Sequence, residues 1–234
     1  CQITDYSKAL EPTFNDAQTA RVLNRSMMGI ASFGLSFVCW FLEVCSGTAV
    51  LTQAVRVCGL TTMEPVDILT GWDLTSTSAC NNLMKLIRKY RPLHTHFAPC
   101  CRIFSVAYHP LMPATHYKST ADYKNCLQLA INIAWLVVQV CALKLFCSIE
   151  NLLGSSIFRL RQYQRIRMMT GCFFVQLNLC MFGLRHSATG EAVKKGLLLL
   201  TNAPWTLPLG VKCDESHNHT RLEGHHTTLT AEYP

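Results

Sequence analysis

Apolar residues in this chain fall into two kinds of segment that take turns. Short runs rich in β-branched and aromatic residues, LSFVCWFLEV (35–44), LHTHFA (93–98), LKLFCSIEN (143–151), CFFVQLNL (172–179) and GLLLLTNA (196–203), read as strands. Between them lie longer segments in which apolar residues recur at helical spacing: TAVLTQAVRVCGL (48–60), DLTSTSACNNLMKLIRKYRP (73–92), residues 122–143 and FRLRQYQRIRMM (158–169). Gly59 stands as a C-terminal stop for the first of these helices. A further short strand is expected near LTTME (60–64). Strands alternating with helices predict an α/β fold with a doubly wound, mostly parallel sheet and helices on both faces. Ligands of such sheets bind beyond the carboxyl ends of the strands. The polar clusters Glu43–Gly47, Glu64–Asp73, Cys101 and Glu150–Asn151 all fall at such ends. Three regions are expected: an N-terminal extension over 1–34, a catalytic-type domain over 35–210, and a polar, His-rich tail over 211–234.

Two apolar stretches are long enough to raise a membrane span, MMGIASFGLSFVCWFLEVC and CLQLAINIAWLVVQVCALKLFC. In the second, Asn125, Gln128, Asn132 and Gln139 share one narrow helical arc, which suits a buried core helix with a polar edge. No stable membrane association is therefore expected.

Composition adds two constraints. The chain has 234 residues, 13 cysteines scattered without any CxxC, and a net charge of +7. An odd, scattered cysteine set excludes a small disulfide scaffold and fits a reducing, intracellular compartment. The basic balance fits a polyanionic partner.

The motif order brings these features together. FLEVCSGTAV places an acid, Glu43, ahead of a turn with Gly47; APCCRIFS places Cys101 ahead of Phe104 and Ser105; DYKNCL spans Asp122–Leu127; ENL spans Glu150–Leu152. In this order the four resemble the motifs of DNA (cytosine-5) methyltransferases, whose catalytic motif is Pro-Cys-Gln-x-Phe-Ser. Phe104 and Ser105 fix the register, so Cys101 takes the nucleophile position and Cys100 the place of the proline. Ala49 and Val50 stand where the family has glycines, and Arg102 where it has Gln.

The resemblance implies a Rossmann-like domain that binds S-adenosylmethionine and methylates cytosine C5 in DNA. Cys101 is the implied nucleophile, with Glu150 stabilising charge on the ring and Asn151 beside it. Glu43, Gly47, Glu64, Asp67, Asp73, Leu74 and Asn125 are the implied cofactor residues, Glu64 and Asp67 competing for the ribose hydroxyls and Asp73-Leu74 for the adenine. Arg102, Ser105, Arg165 and Arg167 are candidates for contact with nucleic acid. Activation of Cys101 requires a lowered thiol pKa, for which Arg102 or a helix N-terminus is the expected source. A DNA substrate implies an intracellular location that includes the nucleus. The rivals are a non-catalytic nucleic-acid-binding relative and a membrane protein spanning through 27–45 and 126–147.

One pattern stands outside the resemblance. Cys213, His217 and His219, with the upstream Cys180, are the ligand types of a tetrahedral zinc site. The spacing Cys-x3-His-x-His is not a standard one, so no metal ligand is assigned and the segment is read as a surface tail.

Overall fold

The computed structural model describes residues 39–105, 118–186 and 189–220. The extension read over 1–34, the start of the first apolar stretch and the tail beyond residue 220 lie outside the described residues. Five strands form one sheet: β1 (Phe41–Val44), β2 (His94–Phe97), β3 (Phe146–Leu152), β4 (Phe173–Asn178) and β5 (Gly196–Thr201), in the order β1-β2-β3-β5-β4. β1, β2 and β3 are parallel neighbours, whereas β5 runs antiparallel between β3 and β4. The fold is therefore α/β with a mixed sheet. Parallel strands need a long crossover, and among the described residues between β4 and β5 the one helical element is a 3-10 turn, Leu179–Phe182; the chain returns antiparallel instead.

Among the described residues four α-helices accompany the sheet: α1 (Val50–Val57), α2 (Thr77–Tyr90), α3 (Ala121–Ala142) and α4 (Arg161–Arg167). Alternation along the strands sends Leu42, Val44, Phe97, Cys147, Ile149 and Leu200 into one core with α2 and α3, which contribute Leu83, Met84, Ile87, Ile133, Leu136 and Val140. Each such side chain contributes about 1.5–3 kcal/mol on burial. Tyr163 anchors α4 to α3, its hydroxyl donating to the Ala130 carbonyl at 3.0 Å. The same alternation puts Glu43, His94, His96, Ser148 and Glu150 on the opposite face of the sheet.

α3 has the length and composition to cross a membrane. In the fold its polar arc is a tether. Asn132 donates through Nδ2 to the carbonyls of Leu74 and Thr75, at 2.8 and 2.9 Å, and accepts from Gln128 at 2.9 Å.

The segment Thr61–Val66 runs parallel along the outer side of β1. Met63 donates to the Phe41 carbonyl and Val66 to that of Glu43, at 2.8 and 2.9 Å. The bridges Phe41–Thr62 and Val44–Val66 leave one more residue on this segment than on β1, and Pro65, which has no N–H, falls inside the bulge. The expected strand at 60–64 is thereby reduced to isolated bridges. β1 thus lies between the bridged segment 61–66 and β2, both of which follow it in the chain.

Residues 211–220 do not form a free tail. Asn178 donates its backbone N–H to the Val211 carbonyl at 3.0 Å, His219 bridges Ala192, and Thr220 donates to the Ala192 carbonyl at 2.9 Å.

Candidate active site

The turn after β1 is wound tightly enough that three residues in five are left-handed: Cys45 (φ 60), Gly47 (φ 51) and Ala49 (φ 58). An L-residue with a side chain costs about 1–2 kcal/mol there. Ala49, where the resemblance leads one to expect glycine, therefore keeps the backbone shape that glycine would favour. A Cβ added at Gly47 would meet nothing within 4 Å, so the turn faces open space on that side. Glu43 lies beneath the turn and is 2% exposed; its Oε2 accepts from the N–H and the hydroxyl of Thr52 in α1, at 2.7 and 2.5 Å. Its position makes it a brace for the turn and α1.

Of the two acids competing for the ribose role, the structure brings only Asp67 to the turn. Its Oδ2 accepts from Gly47 N–H at 3.0 Å, and its Oδ1 accepts from Leu69 N–H at 3.0 Å, capping a 3-10 turn. Glu64 points outward and pairs with Arg56 of α1 at 2.9 Å. Ile68 and Leu69 follow Asp67 with largely exposed apolar side chains, 65% and 75% accessible. Asp73 is exposed and takes both the N–H and the hydroxyl of Thr75; these bonds hold its carboxyl below the usual range. Leu74 is a core residue, so its side chain is not open to a ligand. Asn125 is exposed on α3.

The loop after β2 carries the paired cysteines. Ile103 and Phe104 of its 3-10 turn are buried, and Ser156 donates to the Phe104 carbonyl at 3.2 Å, which leaves Cys100, Cys101 and Arg102 exposed. Asn151, one residue after Glu150, donates through Nδ2 to the Pro99 carbonyl at 3.0 Å and ties the loop to β3. The two thiols diverge. Cys100 reaches toward Cys126 of α3 and toward Cys45 in the first turn, whereas Cys101 shares its surroundings with Glu150 and Lys195.

Cys101 keeps accessible surface, yet the protein around it is dense. Desolvation, the first cause, raises its thiol pKa; the charges of Cys100 and Glu150 add to the rise and that of Lys195 opposes it. Lys195 is itself lowered by desolvation, against the pull of Glu150 and Cys101. Arg102, expected to activate the thiol, pairs instead with Asp122 of α3. The cation acting on Cys101 is Lys195, which sequence reasoning does not single out.

Glu150 ends a chain of polar groups on its face of the sheet. Ser148 Oγ lies 2.8 Å from both His94 Nε2 and His96 Nδ1, and His96 Nε2 lies 3.5 Å from Glu150 Oε2. That carboxylate oxygen is buried without a hydrogen bond among the described residues, an arrangement a donor on a ligand would repair. Burial, with help from the neighbouring His96, pushes the His94 pKa down to about 3, so its ring is neutral. Sequence reasoning misses His94, His96 and Ser148 as well. The only signal for them in the sequence is the i, i+2 spacing of two histidines within one strand.

The nucleic-acid candidates are dispersed. Ser105 closes the described part of the cysteine loop, Arg102 is engaged with Asp122, and Arg165 and Arg167 lie on α4, where the Arg167 guanidinium sits 5.5 Å from the centre of the Phe174 ring. No hydrogen bond or ion pair among the described residues joins the α4 arginines to Cys101 or Glu150. No protein-family model matches the chain, and no curated protein matches it.

Proposed function

We propose that the chain is an S-adenosylmethionine-dependent methyltransferase of Rossmann-like, doubly wound type that acts on cytosine C5 in DNA through Cys101. The observation that carries this reading is that the Cys101 loop, tied by Asn151 to β3, lies within electrostatic reach of Glu150 on β3 and of Lys195 immediately before β5. A lone surface cysteine has no need of such company.

The residues of the first turn fit the cofactor. Gly47 leaves room for close approach, Asp67 stands at the turn with lone pairs for hydroxyl groups, and Ile68 and Leu69 offer an apolar surface for a purine ring. When bound, S-adenosylmethionine supplies an electrophilic methyl group. Cys101, as thiolate, attacks C6 of the ring and forms a carbon–sulfur bond, and the electron pair moves to C5. Lys195 favours the thiolate through its charge. Glu150 meets the charge that develops at N3 and, through the oxygen that lacks a hydrogen bond, accepts from or donates to the ring edge. After methyl transfer, loss of the C5 proton to water expels the thiolate and restores the aromatic ring. A cytosine reaches these groups only when flipped from the duplex. The +7 charge supports a DNA partner, and the hydrogen-bonded polar arc of α3 supports a core role for that helix with no stable membrane association. An intracellular, nuclear location follows from the substrate.

Transfer of labelled methyl from S-adenosylmethionine to mixed-sequence DNA, compared between the unaltered protein and Cys101→Ser, tests the reading. Transfer that depends on Cys101 supports it. Calorimetry that detects no cofactor binding by the unaltered protein, together with no transfer, overturns it in favour of a non-catalytic relative.

A further inference from the structure

Cys180, Cys213, His217 and His219 come from two distant parts of the chain, and their ligand atoms lie within 4.8 Å of one another. We propose that these four residues bind one zinc ion as a closed, tetrahedral, structural site.

The distances carry the first part of the argument. Zn–S bonds near 2.3 Å and Zn–N bonds near 2.05 Å, set at tetrahedral angles, put S and N about 3.5 Å apart and two S atoms about 3.8 Å apart. Cys213 Sγ lies 3.4 Å from His219 Nε2 and 3.8 Å from His217 Nε2. The widest pair in the group therefore needs to close by about one and a half ångströms or less to enclose an ion. Both cysteines are free thiols, so a disulfide does not account for the approach, and it would give no reason for two histidines to converge on the same point.

The surrounding backbone is arranged for the sulfur. Glu215 is left-handed (φ 61), and its N–H donates to Cys213 Sγ at 3.3 Å. Asp214 closes the intervening turn by accepting from the Ser216 N–H at 3.1 Å and from its hydroxyl at 2.7 Å. Asn178, at the end of β4, fixes Cys213 by accepting its N–H at 2.9 Å. Cys180 sits two residues further along, in the turn that ends at Gly183 (φ 89). His219 is held by its bridge to Ala192, and one residue separates it from His217, so in near-extended chain the two rings fall on one side. Two thiolates and two imidazoles suit zinc over the oxygen-seeking cations, and four protein ligands leave no open position for catalysis.

The site also has a mechanical meaning. The Leu179 N–H donates to the Lys195 carbonyl at 2.8 Å, and Lys194 pairs with Glu215 inside the ligand turn. An ion there joins the end of β4, the strap 192–195 and the segment 211–220, and so supports the strap that brings Lys195 to Cys101. This last point rests on the proposed function; the metal site itself does not.

The test is metal analysis of the full chain, purified under reducing conditions, with zinc as the probe. About one zinc per chain is expected, with two sulfur and two nitrogen neighbours by zinc X-ray absorption. Cobalt(II) exchange should give the intense visible bands of tetrahedral geometry and a thiolate-to-cobalt charge-transfer band in the near ultraviolet. Cys213→Ser and His219→Ala should each lose the ion, and Cys58→Ser, on an exposed cysteine, should retain it. Absence of metal in a folded, reduced chain that also fails to take up added zinc overturns the proposal. So does retention of the ion by both ligand variants, or a coordination shell lacking sulfur. If the ligand variants do not fold, the absorption spectrum of the unaltered protein decides alone. Methyl transfer by a chain that neither holds nor takes up zinc would refute the metal site and leave the proposed function standing.

Discussion

Two regions at the same end of the sheet, beyond the carboxyl ends of β2 and β4, use cysteine in opposite ways. Beyond β2, Cys101 stands apart from Cys100 and has unlike neighbours, an acid and a lysine, whose charges push its pKa in opposite directions. Beyond β4, Cys180 and Cys213 have two imidazoles directed at the same point. The first arrangement leaves a thiol accessible and tunable; the second encloses its thiols among other ligands. The contrast teaches that residue type decides little here. The count and convergence of neighbours separate the proposed nucleophile from the proposed metal ligands, and those depend on which strand ends lie together.

The largest expected effect breaks one side of the contrast. Cys101→Ser should lower methyl transfer by about three orders of magnitude or more, because a hydroxyl is a far weaker nucleophile near neutral pH. Cys213→Ser assayed with added zinc at a temperature well below its melting point should lose much less. Equal loss in both variants would mean that the two regions are not functionally distinct.

Removing the ion comes next. Chelation should lower Tm by about 10 °C, since zinc binding contributes folding free energy that a domain of this size reads as a few degrees per kcal/mol. The same treatment of Cys213→Ser should change Tm little. A chelator effect of equal size in that variant would place the relevant metal elsewhere.

Why the sequence reveals one region better than the other follows from β5. The alternating pattern locates the five described strands and the four described helices, and the buried Ile103–Phe104 pair anchors the loop that the motif spacing singles out. Direction is what the pattern lacks. Read as a parallel strand, β5 would start at the amino end of the sheet, far from the cysteine loop. Running antiparallel, it pairs Leu197 with Leu152 and starts at the carboxyl end, which delivers Lys195 to Cys101 and Glu150. The metal ligands are obscured in the sequence for the same reason. Cys180 precedes β5 and Cys213 follows it, and only the path of the intervening chain brings them together. Spacing does not separate Glu64 from Asp67 either, because the bulge at Pro65 decides which of them faces the turn.

A third expectation concerns the polar face behind Glu150. His94 sits between Phe41 and Trp205, with ring centroids 6.1 and 5.8 Å away, and shares Ser148 with His96. Its folded pKa of about 3 lies below the ordinary 6.5. The unfolded chain therefore takes up a proton near pH 6.5 that the folded chain refuses until about pH 3. The associated stability is fully present above 6.5 and is lost progressively as pH falls through that window. The full effect is a few kcal/mol. His94→Phe, which suits the aromatic neighbours, should flatten this part of the pH dependence in urea unfolding at about pH 7 and about pH 4. An unchanged difference between the two pH values would assign the acid sensitivity to other groups.

The smallest effect is also the most specific, because it predicts opposite signs from two neighbours of one sulfur. In a Cys100→Ser background, alkylation of the Cys101 peptide by iodoacetamide can be followed by mass spectrometry as a function of pH. Only the thiolate reacts, so the rate near about pH 8 reports the fraction ionised. Lys195→Met removes the charge that opposes the raised pKa; the thiol becomes harder to ionise and alkylation slows several-fold. Glu150→Gln removes a charge that contributes to the rise; the thiol ionises more readily and alkylation quickens by a similar or smaller factor. At a fixed pH below the pKa the rate follows the ionised fraction in proportion, and partial exposure of the site to water holds either change below about tenfold. The free metal-site thiols, once zinc is chelated, should respond to neither substitution. If both variants moved the Cys101 rate in the same direction, loop movement rather than charge would be acting. If neither moved it, Lys195 and Glu150 would not share the environment of Cys101, and the contrast between a tuned thiol and an enclosed pair would lose its first half.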